Sequence, residues 1–287
     1  MKWGNYEIEL ISDGTLRLDG GAMFGVVPKV IWERVYTPDD KNRIRLGLNC
    51  LLVRADWGNL LIDTGCGRKY SEKEIRIYQI EHETSLLGEL ERFGLGPQDI
   101  DVVINTHLHF DHAGGNTEVR RGEVHPVFPR ARHFVQRREF EDAEAPSERT
   151  RASYFRENWA PLVENGRLEL IEGEQEIRPG IFCEPTPGHT AGHQSVRIES
   201  GGRTLYYLAD LCPTSRHIPL AWIMGYDLYP LTTLESRQAV YRRALDGEWT
   251  LFFEHDAERP LGRLRYEEGR YFCEAFPWTG RDGASEE

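Results

Sequence analysis

Three histidines and one aspartate lie within six consecutive residues of this 287-residue chain, in the segment THLHFDHAGGN. Imidazole nitrogens and carboxylate oxygens are common protein ligands of divalent metals, and four of them in so short a stretch are rarely accidental. On a loop, alternating positions can direct His107 and His109 to one ion, while Asp111 and His112 turn toward a second ion. The glycine pair that follows lets the backbone bend tightly behind these side chains. The segment therefore predicts a metal site.

The elements around this cluster place it at the end of a strand. The six residues before His107, DVVINT, are rich in β-branched side chains, which is typical of a buried strand. Upstream, apolar residues at helical spacing predict an amphipathic helix over 84–93, which Gly94 ends. The histidine cluster is therefore expected on a loop at the carboxyl end of a strand.

The second half of the chain repeats this order of strand, helix and strand. Asp210 follows a predicted strand, a predicted helix spans 234–245, and the next strand ends just before His255. Asp210 precedes His255 by 45 positions. In the first half, Asp63 precedes His107 by 44 positions. Two equivalent halves that meet at an edge would bring these side chains together, as in ligand sites at the carboxyl ends of strands.

A strand followed by HxHxDH resembles the signature of the metallo-β-lactamase superfamily. Members are expected to carry three more ligands, which correspond here to His189 in TPGHT, Asp210 after YLA and His255 in FEHD. The matching region runs over about 46–256. The resemblance implies an α/β fold, a four-layer αββα sandwich built from two similar halves, as one domain over 1–287.

The resemblance also assigns each ligand to one of two metal ions. It implies one ion held by His107, His109 and His189, a second held by Asp111, His112 and His255, and Asp210 bridging the pair. A bridging carboxylate offsets two dications and suits their spacing of about 3.5 to 4 Å in two-metal hydrolases. Zinc is favoured by the imidazole-rich set, although iron or manganese accepts the same ligands.

The chemistry implied by such a centre is hydrolysis by a hydroxide that bridges the two ions. Coordination lowers the pKa of water toward about 7, so the hydroxide forms near neutral pH. It would attack the carbonyl carbon of an ester or lactone, and Asp111 or Asp210 would receive the proton as the leaving oxygen departs.

The lactonase branch, including the acyl-homoserine lactonases, is similar in ligand order and in a late His followed by Asp. Those lactonases typically carry a tyrosine shortly after the bridging aspartate, to hydrogen-bond the substrate carbonyl. Here Leu211, Cys212 and Pro213 follow Asp210 instead. The loop AWIMGYDLYP offers Tyr226 and Tyr229 as replacements, or as packing residues.

Other reactions remain open because the fold and the metals are shared by many hydrolases. Thioester hydrolysis of the glyoxalase II type and phosphotriester hydrolysis are the hydrolytic alternatives. An iron-dependent redox protein such as a persulfide dioxygenase is the non-hydrolytic one. It would need neither His112 nor His255, so their presence favours hydrolysis.

Two residues outside the ligand set are expected to support it. Asp63, in the IDTG turn, resembles an aspartate that orients a ligand imidazole, with a plain turn residue as the alternative. His193, in GHTAGH, is expected to pack against the His189 loop or hold it by hydrogen bonding, and not to bind the metal.

The segment GGAMFGVVPKVIW, which begins at Gly20, combines glycines with apolar residues. It predicts a lid within 19–43, with Met23 and Phe24 lining an apolar site for an acyl or aryl group. A packing strip or a subunit contact, and with it a homodimer, is the alternative interpretation.

Charge and composition restrict the partners and the location. The chain carries 35 basic and 47 acidic residues, and its net charge of -12 repels phosphate backbones and anionic membrane surfaces. It has no apolar run of about 20 residues and no signal-peptide pattern at its N-terminus. We therefore expect a cytoplasmic protein with a small-molecule substrate, no nucleic-acid partner, no membrane contact and a frayed tail at 279–287.

Overall fold

Within residues 1–277, which a computed structural model describes, the chain forms two seven-stranded sheets, a separate hairpin and eight α-helices. The strands are β1 (Lys2–Trp3), β2 (Tyr6–Asp19), β3 (Arg43–Ala55), β4 (Gly58–Ile62), β5 (Val102–Ile104), β6 (Thr117–Arg120), β7 (Glu123–Pro126), β8 (Arg132–Gln136), β9 (Leu168–Ile171), β10 (Gln175–Arg178), β11 (Ile181–Pro185), β12 (Gln194–Ser200), β13 (Arg203–Tyr207), β14 (Thr250–Phe252), β15 (Leu261–Glu267) and β16 (Arg270–Ala275). The helices are α1 (Gly20–Phe24), α2 (Lys29–Trp32), α3 (Glu72–Tyr78), α4 (Leu86–Arg92), α5 (Phe110–Ala113), α6 (Arg137–Glu144), α7 (Ala160–Glu164) and α8 (Pro230–Asp246). The predicted frayed tail at 279–287 lies outside the described residues.

Each sheet joins antiparallel strands to parallel strands that are reached through helices. The first sheet has the order β1-β2-β3-β4-β5-β8-β9, and its last four strands run parallel. The second has the order β10-β11-β12-β13-β14-β15-β16, in which β13 and β14 are the parallel pair. Helices α3 and α4 connect β4 to β5, and α8 connects β13 to β14. This is the architecture of two similar halves that the sequence predicts.

The two sheets pack face to face through apolar side chains. Because neighbouring residues in a strand point to opposite faces, Leu51 and Val53 of β3 face the second sheet, where they join a buried cluster with Ile198 of β12. Leu52, between them, faces the other way and packs near Leu90 of α4. The inner core therefore lies between the sheets, and α4 covers the outer face of the first sheet.

Helix α8 covers the outer face of the second sheet. Val240 and Tyr241 pack in one buried cluster with Tyr206 of β13. The helix begins with Pro230, which suits the first position because its missing N–H has no partner there, and Gly247 follows its end. The layers run helix, sheet, sheet, helix, which confirms the predicted αββα sandwich. None of the helices in the described part of the chain is long and apolar enough to cross a membrane.

The predicted lid region contains α1 and α2 and is packed against the body of the protein. Met23, Phe24 and Trp32 are buried, whereas the Val26 side chain is 88% exposed. Gly25 has a φ of 55°, and a Cβ at this position would lie 2.3 Å from the carbonyl oxygen of Ile223. A residue with a side chain would therefore separate this segment from the loop it touches.

Candidate metal centre

Four strand ends converge where the two sheets meet. β4 and β5 end just before Asp63 and the histidine cluster, and β13 and β14 end just before Asp210 and His255. Parallel pairing within each half places these ends at one edge of the sheet. Two loops from each half therefore face one another, as the repeated spacing of strands in the sequence predicts.

The first group of side chains consists of three histidines and one aspartate, all buried: His107, His109, His189 and Asp210. Nδ1 of His109 lies 3.1 Å from Nε2 of His107 and 3.0 Å from Nε2 of His189. Nε2 of His189 lies 3.1 Å from Oδ2 of Asp210. Ligand atoms at about 2.0 to 2.1 Å around a tetrahedral ion are separated by about 3.3 Å, so this spacing suits one divalent metal.

The second group consists of Asp111, His112 and His255. The Nε2 atoms of the two histidines lie 3.2 Å apart, and Asp111 approaches them at 3.7 and 3.9 Å. Asp210 touches this group as well, since its Oδ1 lies 3.2 Å from Nε2 of His255. The two oxygens of Asp210 thus face nitrogens from both groups.

The remaining ring nitrogens explain why the Nε2 atoms turn inward. The hydroxyl of Thr106 donates to Asp63 at 2.6 Å, so it accepts from Nδ1 of His107 at 3.1 Å. Nδ1 of His255 donates to the carbonyl oxygen of Gly47 at 2.8 Å. A ring that donates from Nδ1 presents the lone pair of Nε2, which is the arrangement of a metal-binding histidine.

The same constraint acts on His112 and His189 through carboxylates. Nδ1 of His112 donates to Asp63 at 3.2 Å, and Nδ1 of His189 donates to Asp227 at 2.9 Å. In addition, Oδ1 of Asp210 is buried and accepts no hydrogen bond from the described part of the chain. Converging lone pairs beside an unpartnered carboxylate oxygen fit a divalent metal better than any hydrogen-bond network.

Burial and neighbouring charges shift the pKa values in this centre. Burial, helped by neighbouring histidines, holds the pKa values of His107 and His109 well below the ordinary value, so both rings are neutral. Burial also opposes charge on Asp210, but nearby His189, His255 and His112 outweigh it and keep its pKa well below the ordinary range. Burial opposes charge on His112, His189 and His255 as well, but nearby carboxylates outweigh it and raise the pKa values of these rings. A bound dication would therefore have to displace protons from these three rings, whereas His107 and His109 are neutral without it.

The two predicted supporting residues lie close to the ligands. Asp63 accepts hydrogen bonds from the backbone N–H of Thr106 at 2.8 Å and from His112. His193 is buried and its Nδ1 contacts the hydroxyl of Thr186 at 2.9 Å, while its ring centre lies 5.3 Å from that of His107. Its Nε2 has no hydrogen-bond partner, and it belongs to neither ligand group.

Two acidic residues at the centre escaped the sequence analysis. Asp227 lies in the loop AWIMGYDLYP, which we examined only for its tyrosines, and its carboxylate holds His189. Glu254 directly precedes His255, is fully buried, and has an oxygen 3.0 Å from Nδ1 of His112. An acidic residue next to a ligand was the available signal for Glu254, whereas nothing in the local pattern marks Asp227.

A cavity of about 420 Å³ opens onto the centre, and His109, Asp111, His189, Asp210 and His255 form part of its wall. Of the predicted substrate-binding residues, Met23 and Tyr226 line this cavity. Phe24 and Tyr229 do not line it. The ring of Phe24 is buried and stacks on His217 with 4.5 Å between ring centres, and Tyr229 lies at the start of α8.

Known sequences resemble this chain over the region that contains these side chains. The family model described as the metallo-beta-lactamase superfamily matches residues 44–255. An N-acyl homoserine lactonase from a Bacillus species is 30% identical over 245 residues, which cover 79% of this chain and 84% of the lactonase. A probable metallo-hydrolase from Mycobacterium tuberculosis is 30% identical over 190 residues, or 59% of this chain and 58% of that protein.

Solved structures give the same result. A probable metal-dependent hydrolase from Staphylococcus aureus superimposes with a TM-score of 0.87 at 32% identity, over 97% of this chain and 99% of that one. A dizinc quorum-quenching lactonase superimposes with a TM-score of 0.80 over 98% of this chain and 97% of that one. At 21% identity, the second likeness concerns the fold alone.

Proposed function

The chain belongs to the metallo-β-lactamase superfamily and is a metal-dependent hydrolase of its lactonase-like branch, and we propose that it uses two divalent metal ions to cleave an ester or lactone bond of a small molecule. One observation carries the proposal. Asp210 lies at the wall of an open cavity with one oxygen toward His189 and the other toward His255, which belong to different ligand groups. A carboxylate between two groups of imidazoles suits a pair of ions.

Each ligand group has a separate task in this proposal. One ion would be held by His107, His109 and His189 and the other by Asp111, His112 and His255, with Asp210 shared. When bound, the ions, most simply zinc, would lower the pKa of water toward about 7 and polarise the substrate carbonyl. The buried imidazoles hold their nitrogens in place before substrate arrives, which limits reorganisation during the reaction.

Asp111 is the residue best placed to move a proton. It lines the cavity, and its oxygens lie 3.7 and 3.9 Å from the nearest ligand nitrogens, whereas Asp210 is held at 3.1 and 3.2 Å. A looser carboxylate that faces the substrate can accept a proton from water and return it to the leaving alcohol oxygen. Asp210 would act mainly as a ligand.

The rest of the cavity suits an apolar acyl or aryl group. Met23, Met224 and Leu228 line it, and Tyr226 stands on the same wall with its side chain 37% exposed. We propose that the Tyr226 hydroxyl donates a hydrogen bond to the substrate carbonyl, in place of the tyrosine that is missing after Asp210. The names of the curated relatives, N-acyl homoserine lactonases, support a lactone as the first substrate to try.

We also propose that 1–287 is a single domain with its core at about 46–256 and a lid within 19–43. Strand β2 precedes this core, yet it pairs with β3 along most of its length. Met23 lines the cavity, and the carbonyl oxygen of Ala22 accepts a hydrogen bond from the N–H of Gly225 at 2.7 Å. These contacts support the proposal that the segment 19–43 covers the substrate.

A substrate screen tests the proposed function. The zinc-loaded protein is assayed with lactones, aryl esters, thioesters and phosphotriesters, and bound metal is measured in the same samples. We expect the highest kcat/KM on a lactone or ester, two metals per chain, and a loss of at least about 100-fold in kcat for Asp210→Asn, as for other groups that stabilise the transition state. His109→Ala is the metal-deficient control.

The other outcomes separate the alternatives. Preference for a thioester or a phosphotriester would replace the substrate class and leave the two-metal centre intact. One bound iron with no hydrolysis would favour the persulfide dioxygenase class. Full activity of Asp210→Asn with both metals retained would overturn the role given to Asp210.

A further inference from the structure

A buried carboxylate outside the ligand set connects the loops that carry three of the histidines. Glu139 lies on α6, and its side chain is fully buried. One oxygen accepts hydrogen bonds from the backbone N–H of Leu108 at 3.0 Å and from the hydroxyl of Tyr154 at 2.8 Å. The other accepts from the hydroxyl of Thr190 at 2.5 Å. Burial raises the pKa of Glu139, and the three donors oppose this shift because they form strong hydrogen bonds to the ionised carboxylate.

Each of these three donors is adjacent to a ligand of the first group. Leu108 lies between His107 and His109 in the chain, and Thr190 directly follows His189. The ring of Tyr154 packs against His109, with 4.8 Å between ring centres. One carboxylate therefore contacts the neighbours of all three imidazoles, although they come from both halves of the chain.

The packing around Glu139 leaves little freedom for the second of these loops. A Cβ at Gly192 would lie 2.2 Å from the backbone nitrogen of Glu139, so the loop and α6 touch through their main chains. On the other side, a Cβ at Gly188 would lie 2.3 Å from the hydroxyl of Thr233 in α8. The His189 loop is thus held between two helices, and Glu139 fixes its position relative to Leu108.

We propose that Glu139 is a positioning residue that sets the geometry of the three-histidine metal site across the two halves of the chain. The inference rests on the proposed function, because it concerns the same centre. Glu139 touches no ligand nitrogen and acts through Leu108, Tyr154 and Thr190. Its loss would let the ligand loops move apart, and groups that orient ligands in this way typically contribute 10- to 100-fold to metal affinity.

The test measures metal affinity at one site at a time, by competition with a chromogenic chelator. His255→Ala disables the second group and leaves the three-histidine group, and His109→Ala does the reverse. We expect Glu139→Ala to weaken zinc binding 10- to 100-fold in the His255→Ala background and by less than about 3-fold in the His109→Ala background. Glu139→Gln keeps an acceptor for the Leu108 N–H, so it should lose less than Glu139→Ala.

Two controls separate positioning from general damage. Glu141→Gln changes an exposed carboxylate on the same helix and should leave both affinities unchanged. Thr190→Val removes one donor and keeps Glu139, so it should weaken the same site to a smaller extent even if Glu139→Ala does not fold. Equal losses at both sites, or no loss at the three-histidine site, would overturn the proposal. Failure of the proposed two-metal centre is distinguishable, since the parent protein itself would then not bind two zinc ions, and failure of the proposed substrate class would appear only in the substrate screen.

Discussion

Glu139 and Arg237 are both fully buried on helices that flank the metal centre, yet they bind opposite kinds of backbone group. Glu139 accepts from an N–H beside the first histidines, at Leu108. Arg237 donates to three carbonyl oxygens, at Leu211, His217 and Trp222, over 2.6 to 3.0 Å. The difference follows from the backbone groups that need a partner where each loop continues from a strand. Near Glu139 this group is an N–H, whereas near Arg237 the groups are carbonyl oxygens.

Arg237 holds the loops that carry Asp210 and Asp227, whereas Glu139 holds the loops that carry the three histidines of the first group. Leu211 directly follows Asp210, and Trp222 lies in the loop that carries Asp227 and Tyr226. Both side chains are held by backbone or hydroxyl dipoles, with no ion pair at either within residues 1–277, so desolvation makes each position sensitive to substitution. The two sides of one metal centre are therefore supported by separate buried side chains.

The largest effect on the free energy of unfolding is expected from Arg237→Met. The substitution leaves three carbonyl oxygens without their charged donor, and hydrogen bonds to charged groups contribute about 1.5 to 3 kcal/mol each without being additive. We expect the free energy of unfolding to fall by about 3 to 5 kcal/mol, comparable to breaking a buried ion pair. Urea unfolding at constant pH and zinc concentration measures it.

The matched control is Arg242→Met, on the same helix, where the arginine is exposed. A surface substitution of this kind should stay within about 0.5 kcal/mol. If Arg237→Met had the same urea midpoint as this control, Arg237 would have no special part in holding the Asp210 loop.

The next prediction compares the carboxylates that orient a histidine in each half. Asp63 accepts hydrogen bonds from His112 and from the N–H and hydroxyl of Thr106. Asp227 accepts one from His189, and its second oxygen has no partner in the part of the chain that the structure describes. We expect Asp63→Asn and Asp227→Asn each to weaken zinc binding by 10- to 100-fold, or about 1.4 to 2.7 kcal/mol. Zinc titration of both variants measures this effect.

Stability should separate the same two variants. Asp63→Asn removes charge-assisted hydrogen bonds to the N–H and the hydroxyl of Thr106, so the zinc-free protein should lose about 1 to 3 kcal/mol. Asp227→Asn should leave the zinc-free protein within about 1 kcal/mol of the parent, because it disturbs a single contact. Equal destabilisation of both would show that the two halves support their histidines in the same way.

The features that could be predicted are those that depend on residues close together in the sequence or on a repeated spacing. The ligands between His107 and His112 are dense in the chain, and the repeated spacing of strands identified the ends that carry Asp210 and His255. Family resemblance supplied His189. The repeated order of strand, helix and strand could be predicted from the residues, whereas the αββα layers were implied by the family resemblance.

The supporting residues could not be predicted because their partners are distant in the chain. Glu139 lies in the sequence RREFED among charged neighbours that are exposed, and 31 positions separate it from Leu108. Arg237 likewise lies 26 positions from Leu211. Only the folded chain distinguishes these charges from surface ones.

One helix end is marked in the sequence itself. Helix α6 ends at Glu144, and Pro146 follows it before the loop that leads to α7. A proline disfavours helical conformation in the residue before it, so this end could have been predicted.

The smallest predicted effect concerns polar side chains buried against the two sheets. In the second sheet, Glu184 accepts hydrogen bonds from Arg243 and Tyr206. In the first sheet, His133 of β8 is fully buried and neither ring nitrogen has a hydrogen-bond partner among residues 1–277. Burial lowers the pKa of His133 to about 3, and nearby Arg167 adds to the effect. This ring therefore stays neutral in the folded protein at pH values at which it would be protonated in the unfolded chain.

The sign of the resulting pH dependence follows directly. Below about pH 6.5 the unfolded state binds a proton at this position and the folded state does not, so stability falls as the pH falls, until about pH 3. One pH unit corresponds to about 1.4 kcal/mol. Between pH 6.5 and 5.5, His133→Phe should therefore lose about 1 kcal/mol less than the parent in urea unfolding. Both are compared in the same zinc-loaded state, so that titration of the metal ligands cancels. Parallel stability curves for the two proteins would mean that His133 finds a partner or water in solution, and the contrast between the two sheets would disappear.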